Sequence, residues 1–211
     1  MVDLKELSEV LFRGDVSRVK EITLRALQEK KDPKEILEQG LIKGMKVVGI
    51  KFKNNEIFLP EVLLASRAMY GGIELLQPEL IKTGVKAVGK VIIGTTKGDL
   101  HDIGKNLVIM MLKGGGFEVI DLGIDVSPEK FLKASREHQP DIVGISALLT
   151  TTMSGMMDVI TVLKKAGLRN KIKVMIGGAA VTQEFADEIG ADVYAPDAAS
   201  AVDKARELLK I

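Results

Sequence analysis

Over residues 1 to roughly 85 the apolar positions read as helical only. Leu4, Leu7, Val10 and Leu11 share one face of a first helix. Gly14-Asp15 breaks it, and Asp15 can cap a second helix faced by Val19, Ile22, Ala26 and Leu27. Asp32 as N-cap, Pro33 at the first position and Glu35 at the third mark a third start, followed by Ile36, Leu37, Leu41, Met45 and Val48. After the polar turn Lys53-Asn54-Asn55-Glu56, Pro60 opens a fourth helix carrying Val62, Leu63, Ala65, Ala68, Met69 and Ile73. Four helices on short connections predict an antiparallel bundle. Pro78 to Gly89 reads as a connector.

From residue 90 the rhythm changes to strand and helix in alternation. The predicted strands are Val91–Thr95, Glu118–Asp121, Ile142–Ser146, Val174–Ile176 and Val193–Tyr194. The predicted helices are His101–Lys113, Pro128–His138, Thr152–Lys165, Gln183–Glu188 and Ala198–Leu209. Gly114-Gly115-Gly116 stops the first of them. Five βα units predict an α/β domain, a doubly wound parallel sheet with helices on both faces. The expected organisation is a helical domain over 1–85 and a sheet domain over 86–211. His101 then lies on the loop leaving the carboxyl end of the first strand, the edge where open α/β sheets bind ligands.

Composition narrows the chemistry. The chain has 211 residues, 46% hydrophobic, enough for sizeable cores. No apolar run reaches transmembrane length and the start, Met1-Val2-Asp3-Leu4-Lys5, lacks a signal-peptide pattern, so a soluble cytoplasmic protein is expected. A net charge of +1, with both signs interspersed, gives no nucleic-acid footprint. Cysteine is absent, which excludes disulfides, zinc–thiolate sites and protein-bound iron–sulfur clusters. Only His101 and His138 are histidines, so no three-histidine metal site can form. Any metal must arrive largely pre-ligated.

The candidate chemistry gathers at one sheet edge. Asp99, two residues before His101, can bring its carboxylate to the ring Nδ1 and leave Nε2 for a metal. Gly104 lets something bulky approach the backbone. From spacing alone, Asp99 as a plain helix cap beside a surface histidine is the simpler reading. Further loops supply small and hydroxyl residues: Ser146, Leu148, Thr150 and Thr152 after the third strand, Gly177-Gly178 after the fourth, and Tyr194-Ala195 at the fifth. Together they suggest a long, narrow pocket. No G-x-G-x-x-G follows the first strand, which disfavours an ordinary dinucleotide site.

Gly98–Asn106, read as G-D-L-H-D-I-G-K-N, resembles the D-x-H-x-x-G signature of the cobalamin-binding domain of corrinoid proteins and methionine synthase. Ser146-x-Leu148 and Gly177-Gly178 resemble the family's S-x-L element and glycine pair, in family order. Glu56-Ile57-Phe58-Leu59-Pro60-Glu61-Val62 is similar to the start of the last helix in the family's cap bundle. The resemblance implies a helical cap over a Rossmann-like (flavodoxin-like) domain that binds cobalamin or a related cobamide, with cobalt as the metal. His101 would replace the cofactor's own base as lower ligand to cobalt, with Asp99 as its hydrogen-bonded partner and Thr152 completing a relay. Leu100, Asp102, Ile103 and Gly104 match the loop around the lower face of the ring. Ser146, Leu148 and Thr150 match the slot for the displaced nucleotide tail, and Gly177 and Gly178 match bare backbone along it. Phe58 and Leu59 are candidates for the contact of the cap with the upper face, or else bundle core.

The nearest resemblance is to small corrinoid proteins of methyltransferase systems for methanol, methylamines or methoxylated aromatics. It implies a methyl carrier rather than a complete enzyme. Its partners would be a substrate-specific methyltransferase and a second methyltransferase acting on tetrahydrofolate or coenzyme M. With no cysteine in the chain, reduction of oxidised cobalt falls to another protein, a reductive activase. A cobalamin-binding regulatory or sensor protein is the alternative that shares the two-domain layout.

Overall fold

The computed structural model describes residues 2–211. Contacts divide the chain into two compact units, Met1–Ala87 with Gly114–Gly116, and Val88–Lys113 with Phe117–Ile211.

The first unit is helical. Its elements are α1 (Leu4–Phe12), α2 (Val16–Gln28), a continuous rod of α3 (Pro33–Glu35), a π-helical stretch (Ile36–Ile42) and α4 (Lys43–Lys53), and then α5 (Leu59–Lys82). Three aspartates start three of the four rods. The carboxylates of Asp3, Asp15 and Asp32 accept from the backbone N–H groups of Lys5, Arg18 and Lys34 at 2.8, 2.9 and 3.0 Å, which satisfies donors that a helix start leaves unpaired. At α5 the Glu61 carboxylate reaches back to the Phe58 N–H at 3.0 Å. The apolar faces meet at Leu7, Leu11, Val19, Ile22, Ile36, Leu41, Val48 and Val62, all fully buried. Gly72 lets α5 approach closely, since a Cβ there would lie 2.8 Å from Leu41 Cδ1.

Pro78 does not end the last helix. It removes one hydrogen bond, that to the Glu74 carbonyl, yet α5 runs on to Lys82. Buried Leu76 anchors the turn before it, and the Thr83 hydroxyl caps the end on the Glu79 carbonyl at 2.9 Å. The connector is accordingly shorter than the residues from Pro78 onward suggested.

The second unit is a five-stranded sheet in the order β2-β1-β3-β4-β5. Its strands are β1 (Lys90–Thr95), β2 (Glu118–Asp121), β3 (Ile142–Ser146), β4 (Lys173–Gly177) and β5 (Val193–Ala195), and every pairing is parallel. The helices are α6 (Ile103–Gly114), α7 (Pro128–His138), α8 (Ser154–Lys165), α9 (Gln183–Ile189) and α10 (Ala198–Leu209). Period-two alternation splits the strand residues between two cores. Ile92, Val143, Ile145, Val174 and Ile176 pack with Phe131 of α7, Met156 and Val159 of α8 and Ile189 of α9. Val91, Ile142 and Met175 pack with Leu112 of α6 and Ala201 and Ala205 of α10. This is the predicted α/β sheet with helices on both faces. The strand order reverses between β1 and β3, the place at which open α/β sheets bind ligands.

Candidate functional site

The loops at the carboxyl ends of β1 and β3 are built around one buried carboxylate. After β1 the chain is pinned to β3 by the Thr96 N–H, which donates to the Ser146 carbonyl at 2.9 Å. Gly98 then turns with φ +83°, a conformation that glycine adopts without strain. Asp99 follows, with no exposed surface. Its Oδ1 accepts from the His101 N–H at 3.0 Å and lies 2.7 Å from His101 Nδ1. Its Oδ2 accepts from the Leu148 N–H at 2.8 Å and lies 2.7 Å from Thr152 Oγ1. Thr152 Oγ1 is also 2.9 Å from the Leu149 carbonyl, so its one proton chooses between the two oxygens.

Burial alone would push the Asp99 carboxyl up. The donors from the His101 backbone, the Thr152 hydroxyl, the Leu148 backbone and the His101 ring outweigh it and hold the group well below the usual carboxylate range. Asp99 is therefore ionised at neutral pH and can only accept. His101 Nδ1 must carry the proton of that bond, and Nε2 keeps its lone pair on the far side of the ring. The imidazole is half exposed, and the Thr95 hydroxyl holds its backbone carbonyl at 2.9 Å.

The surroundings of His101 are apolar and uncovered. Leu100 and Ile103 are 67% and 73% exposed, and Leu148 and Leu149 also face outward. A Cβ on Gly104 would meet no atom within 4 Å. Asp102 caps the same turn, accepting from Asn106 Nδ2 at 3.0 Å. Ser146, Gly177 and Ala195 lie level with Thr95, in one row across the ends of four strands. Thr150 and Thr152 form a 3-10 turn ahead of α8, which starts two residues later than the pattern predicted because Thr152 is held by Asp99.

Other predicted positions take roles of their own. A Cβ on Gly178, at φ +134°, would overlap the Ala147 carbonyl oxygen, and one on Gly177 would lie 2.8 Å from the Ala195 carbonyl oxygen. Both glycines are thus required by contacts within the fold, whatever ligand passes them. The Tyr194 side chain packs against the core under α7, α8 and α9. Phe58 belongs to the helical unit, where it is the N-cap of α5 and 64% exposed, so it is not bundle core.

Three side chains that the sequence did not single out support the loop. Lys105 is buried and its Nζ donates to Asp121 Oδ1 at 2.7 Å and to Asn106 Oδ1 at 2.8 Å. Asp125 accepts from the Gly98 N–H at 2.7 Å. Only the isolated lysine ahead of an apolar helix face hinted at the first, and nothing in spacing hinted at Asp121 or Asp125.

Among the described residues no group of three or more histidine, cysteine, aspartate or glutamate side chains could hold a metal ion. A single imidazole with a fixed tautomer, set in an exposed apolar rim beside a bare glycine, fits a metal that brings its other ligands in a flat ring.

Comparison with known proteins agrees. A family model described as B12 binding domain matches residues 89–205, and a second with the same description matches residues 3–77. The chain is 45% identical to dimethylamine corrinoid protein 3 of Methanosarcina acetivorans over 212 residues, covering 99% of this chain and 100% of that one. It is 48% identical to trimethylamine corrinoid protein 2 of the same organism over 198 residues, covering 93% and 91%. The fold matches a crystal structure of the methanol:cobalamin methyltransferase complex from Methanosarcina barkeri with a TM-score of 0.86 and 34% identity, over 97% of this chain and 78% of that one.

Proposed function

The chain belongs to the family of corrinoid proteins built on B12 binding domains, and from that premise we propose that it binds a cobamide with His101 in place of the cofactor's own base and carries a methyl group between two methyltransferases. The observation that carries this reading is the single hydrogen-bonded unit of Thr152, Asp99 and His101, at 2.7 Å on each side of the carboxylate. A cobamide held there would supply the methyl-transfer chemistry. The protein's own residues do the rest. Asp99 fixes the tautomer and the orientation of the ring. His101 Nε2 is the atom that would hold the metal. Exposed Leu100, Ile103 and Leu148 would supply apolar surface to the cofactor, and Gly104 would leave room for its approach. The row of Ser146, Gly177 and Ala195 runs along the sheet edge in the direction a displaced nucleotide tail would take.

The relatives named for dimethylamine and trimethylamine favour a methylamine-specific methyltransferase as the donor partner. A second methyltransferase would remove the methyl group, and a reductive activase would restore cobalt after oxidation.

The test is reconstitution with cob(II)alamin and electron paramagnetic resonance. Nitrogen splitting from an imidazole is expected in the wild type and its loss in His101→Ala. Splitting that persists in His101→Ala, or that comes from the cofactor's own base, would overturn the axial assignment. Methylation of the reconstituted protein by a dimethylamine methyltransferase, against a methanol one, tests the donor.

A further inference from the structure

We propose that Asp125, in the loop between β2 and α7, is a positioning residue for the His101 imidazole. The proposal rests on His101 being the nitrogen offered to the metal, and it concerns the backbone that carries that ring. Two bonds of opposite direction join Asp125 to the histidine loop. Its own N–H donates to the Asp99 carbonyl at 3.1 Å, and its Oδ1 accepts from the Gly98 N–H at 2.7 Å. They grip the chain at the two residues that lead into the buried carboxylate. The direction from which Asp99 meets His101 Nδ1 is thus set from a different loop.

The gripping loop is itself fastened. The Leu122 N–H donates to the Ile93 carbonyl at 2.8 Å, the Thr95 N–H to the Gly123 carbonyl at 3.0 Å and the Val126 N–H to the Thr95 carbonyl at 2.9 Å. At its start, Asp121 Oδ1 accepts both from the buried Lys105 ammonium at 2.7 Å and from the Gly123 N–H at 2.9 Å. Lys105 follows His101 in the chain, and Gly98 and Asp99 precede it. The histidine is therefore held between two fastenings to the same loop.

The backbone of Asp125 favours a positioning role over mere connection. It has φ +50°, the left-handed region that is costly for most residues and that Asp and Asn tolerate best among those with a side chain. A plain strand-to-helix link needs neither that conformation nor an exposed carboxylate turned onto a glycine N–H. A ring nitrogen that must meet an incoming metal along one line needs its backbone held to about 0.5 Å.

The experiment compares Asp125→Asn, Asp125→Gly and Asp125→Glu by two readouts, with thermal melting as the check on folding. The first is exchange of the His101 Nδ1–H proton with solvent, by NMR on the protein without cofactor. The second is the imidazole nitrogen splitting after loading with cob(II)alamin. Asn keeps the acceptor and tolerates the left-handed backbone, so it should match the wild type. Gly keeps the backbone and loses the acceptor, and Glu keeps the charge at the wrong length. Both should speed Nδ1–H exchange by about tenfold, the worth of one net hydrogen bond, and should weaken the splitting. Exchange and splitting unchanged in folded Gly and Glu variants would overturn the proposal. If the Gly variant fails to fold, the order of Asn against Glu decides. A wild type without imidazole splitting would refute the axial role of His101, while Nδ1–H exchange would still decide the role of Asp125.

Discussion

At the scale of the residue the site is one carboxylate serving five donors, the N–H groups of His101, Leu148 and Leu149, the His101 ring and the Thr152 hydroxyl. Asp99→Asn replaces an acceptor oxygen by an NH2 group that must face an N–H or O–H donor, because both Asp99 oxygens are engaged. Leaving such a buried group unpaired costs about 1–3 kcal/mol. The pH dependence has a definite sign. The folded carboxyl titrates below its unfolded value, so its contribution is fully present above about pH 4, the unfolded value, and is lost as pH falls toward the folded one. Urea midpoints should therefore separate wild type from Asp99→Asn most at pH 7, and the gap should narrow below about pH 4. A gap that widens in acid would contradict the ionised assignment. Thr152→Val, which keeps the shape and removes the hydroxyl, should lower stability by about 1 kcal/mol, and Thr152→Ser should restore it in the same urea titration. The Asp99–His101 pair was legible in the sequence because two residues of spacing suffice to join them. Asp125 was not, because its partner Gly98 is 27 positions away and its own neighbourhood, Asp125-Val126-Ser127-Pro128, reads only as a turn before a helix.

At the scale of the element, two kinds of glycine are separated by what surrounds them. Gly178 is enclosed by the Ala147 carbonyl at a positive φ, whereas Gly104 faces open space at the start of α6 with an ordinary helical backbone. Gly178→Ala should therefore lower the unfolding free energy without any cofactor present, by several kcal/mol given both overlap and strain. Gly104→Ala should leave the cofactor-free protein as stable or more so, by up to about 1 kcal/mol because alanine is the better helix former. The same change should weaken cobamide binding, since its methyl would stand where the ring approaches. Chemical denaturation and a cobalamin titration of both variants check the pair. A stable Gly178→Ala with impaired binding would mean that the ligand, not the fold, requires that glycine. The sequence marked both positions as glycines at the right edge, and only packing could tell them apart. Strand limits were legible to within a residue because the buried parallel strands are short apolar runs bounded by polar ones. The π-helical stretch Ile36–Ile42 and the passage of α5 through Pro78 were not, since each depends on a hydrogen-bond register that composition does not encode.

At the scale of the whole molecule, one unit carries every residue of the candidate anchor. Asp99, His101, Leu148 and Thr152 all come from the sheet unit, from two loops at the place where the strand order reverses. Five βα repeats implied a doubly wound parallel sheet but not its strand order, and the observed order brings the loops of the histidine and the threonine together although 53 positions separate Asp99 from Thr152. A ligand that binds only the folded state stabilises it by RT ln(1 + [L]/Kd), about 2.7 kcal/mol at a hundredfold excess over Kd. Cobalamin should accordingly slow amide exchange in the segments around His101 and Leu148 by up to about a hundredfold at that excess, through whichever openings expose the site. Under the proposed axial role, His101→Ala would remove the bond to cobalt and leave the apolar rim and the sheet edge, so part of the protection should remain and the part contributed by that bond should vanish. The remainder, read at matched cobalamin excess, divides the affinity between metal coordination and burial of the ring and tail. Exchange protection identical in wild type and His101→Ala would show that the histidine contributes nothing to holding the cofactor.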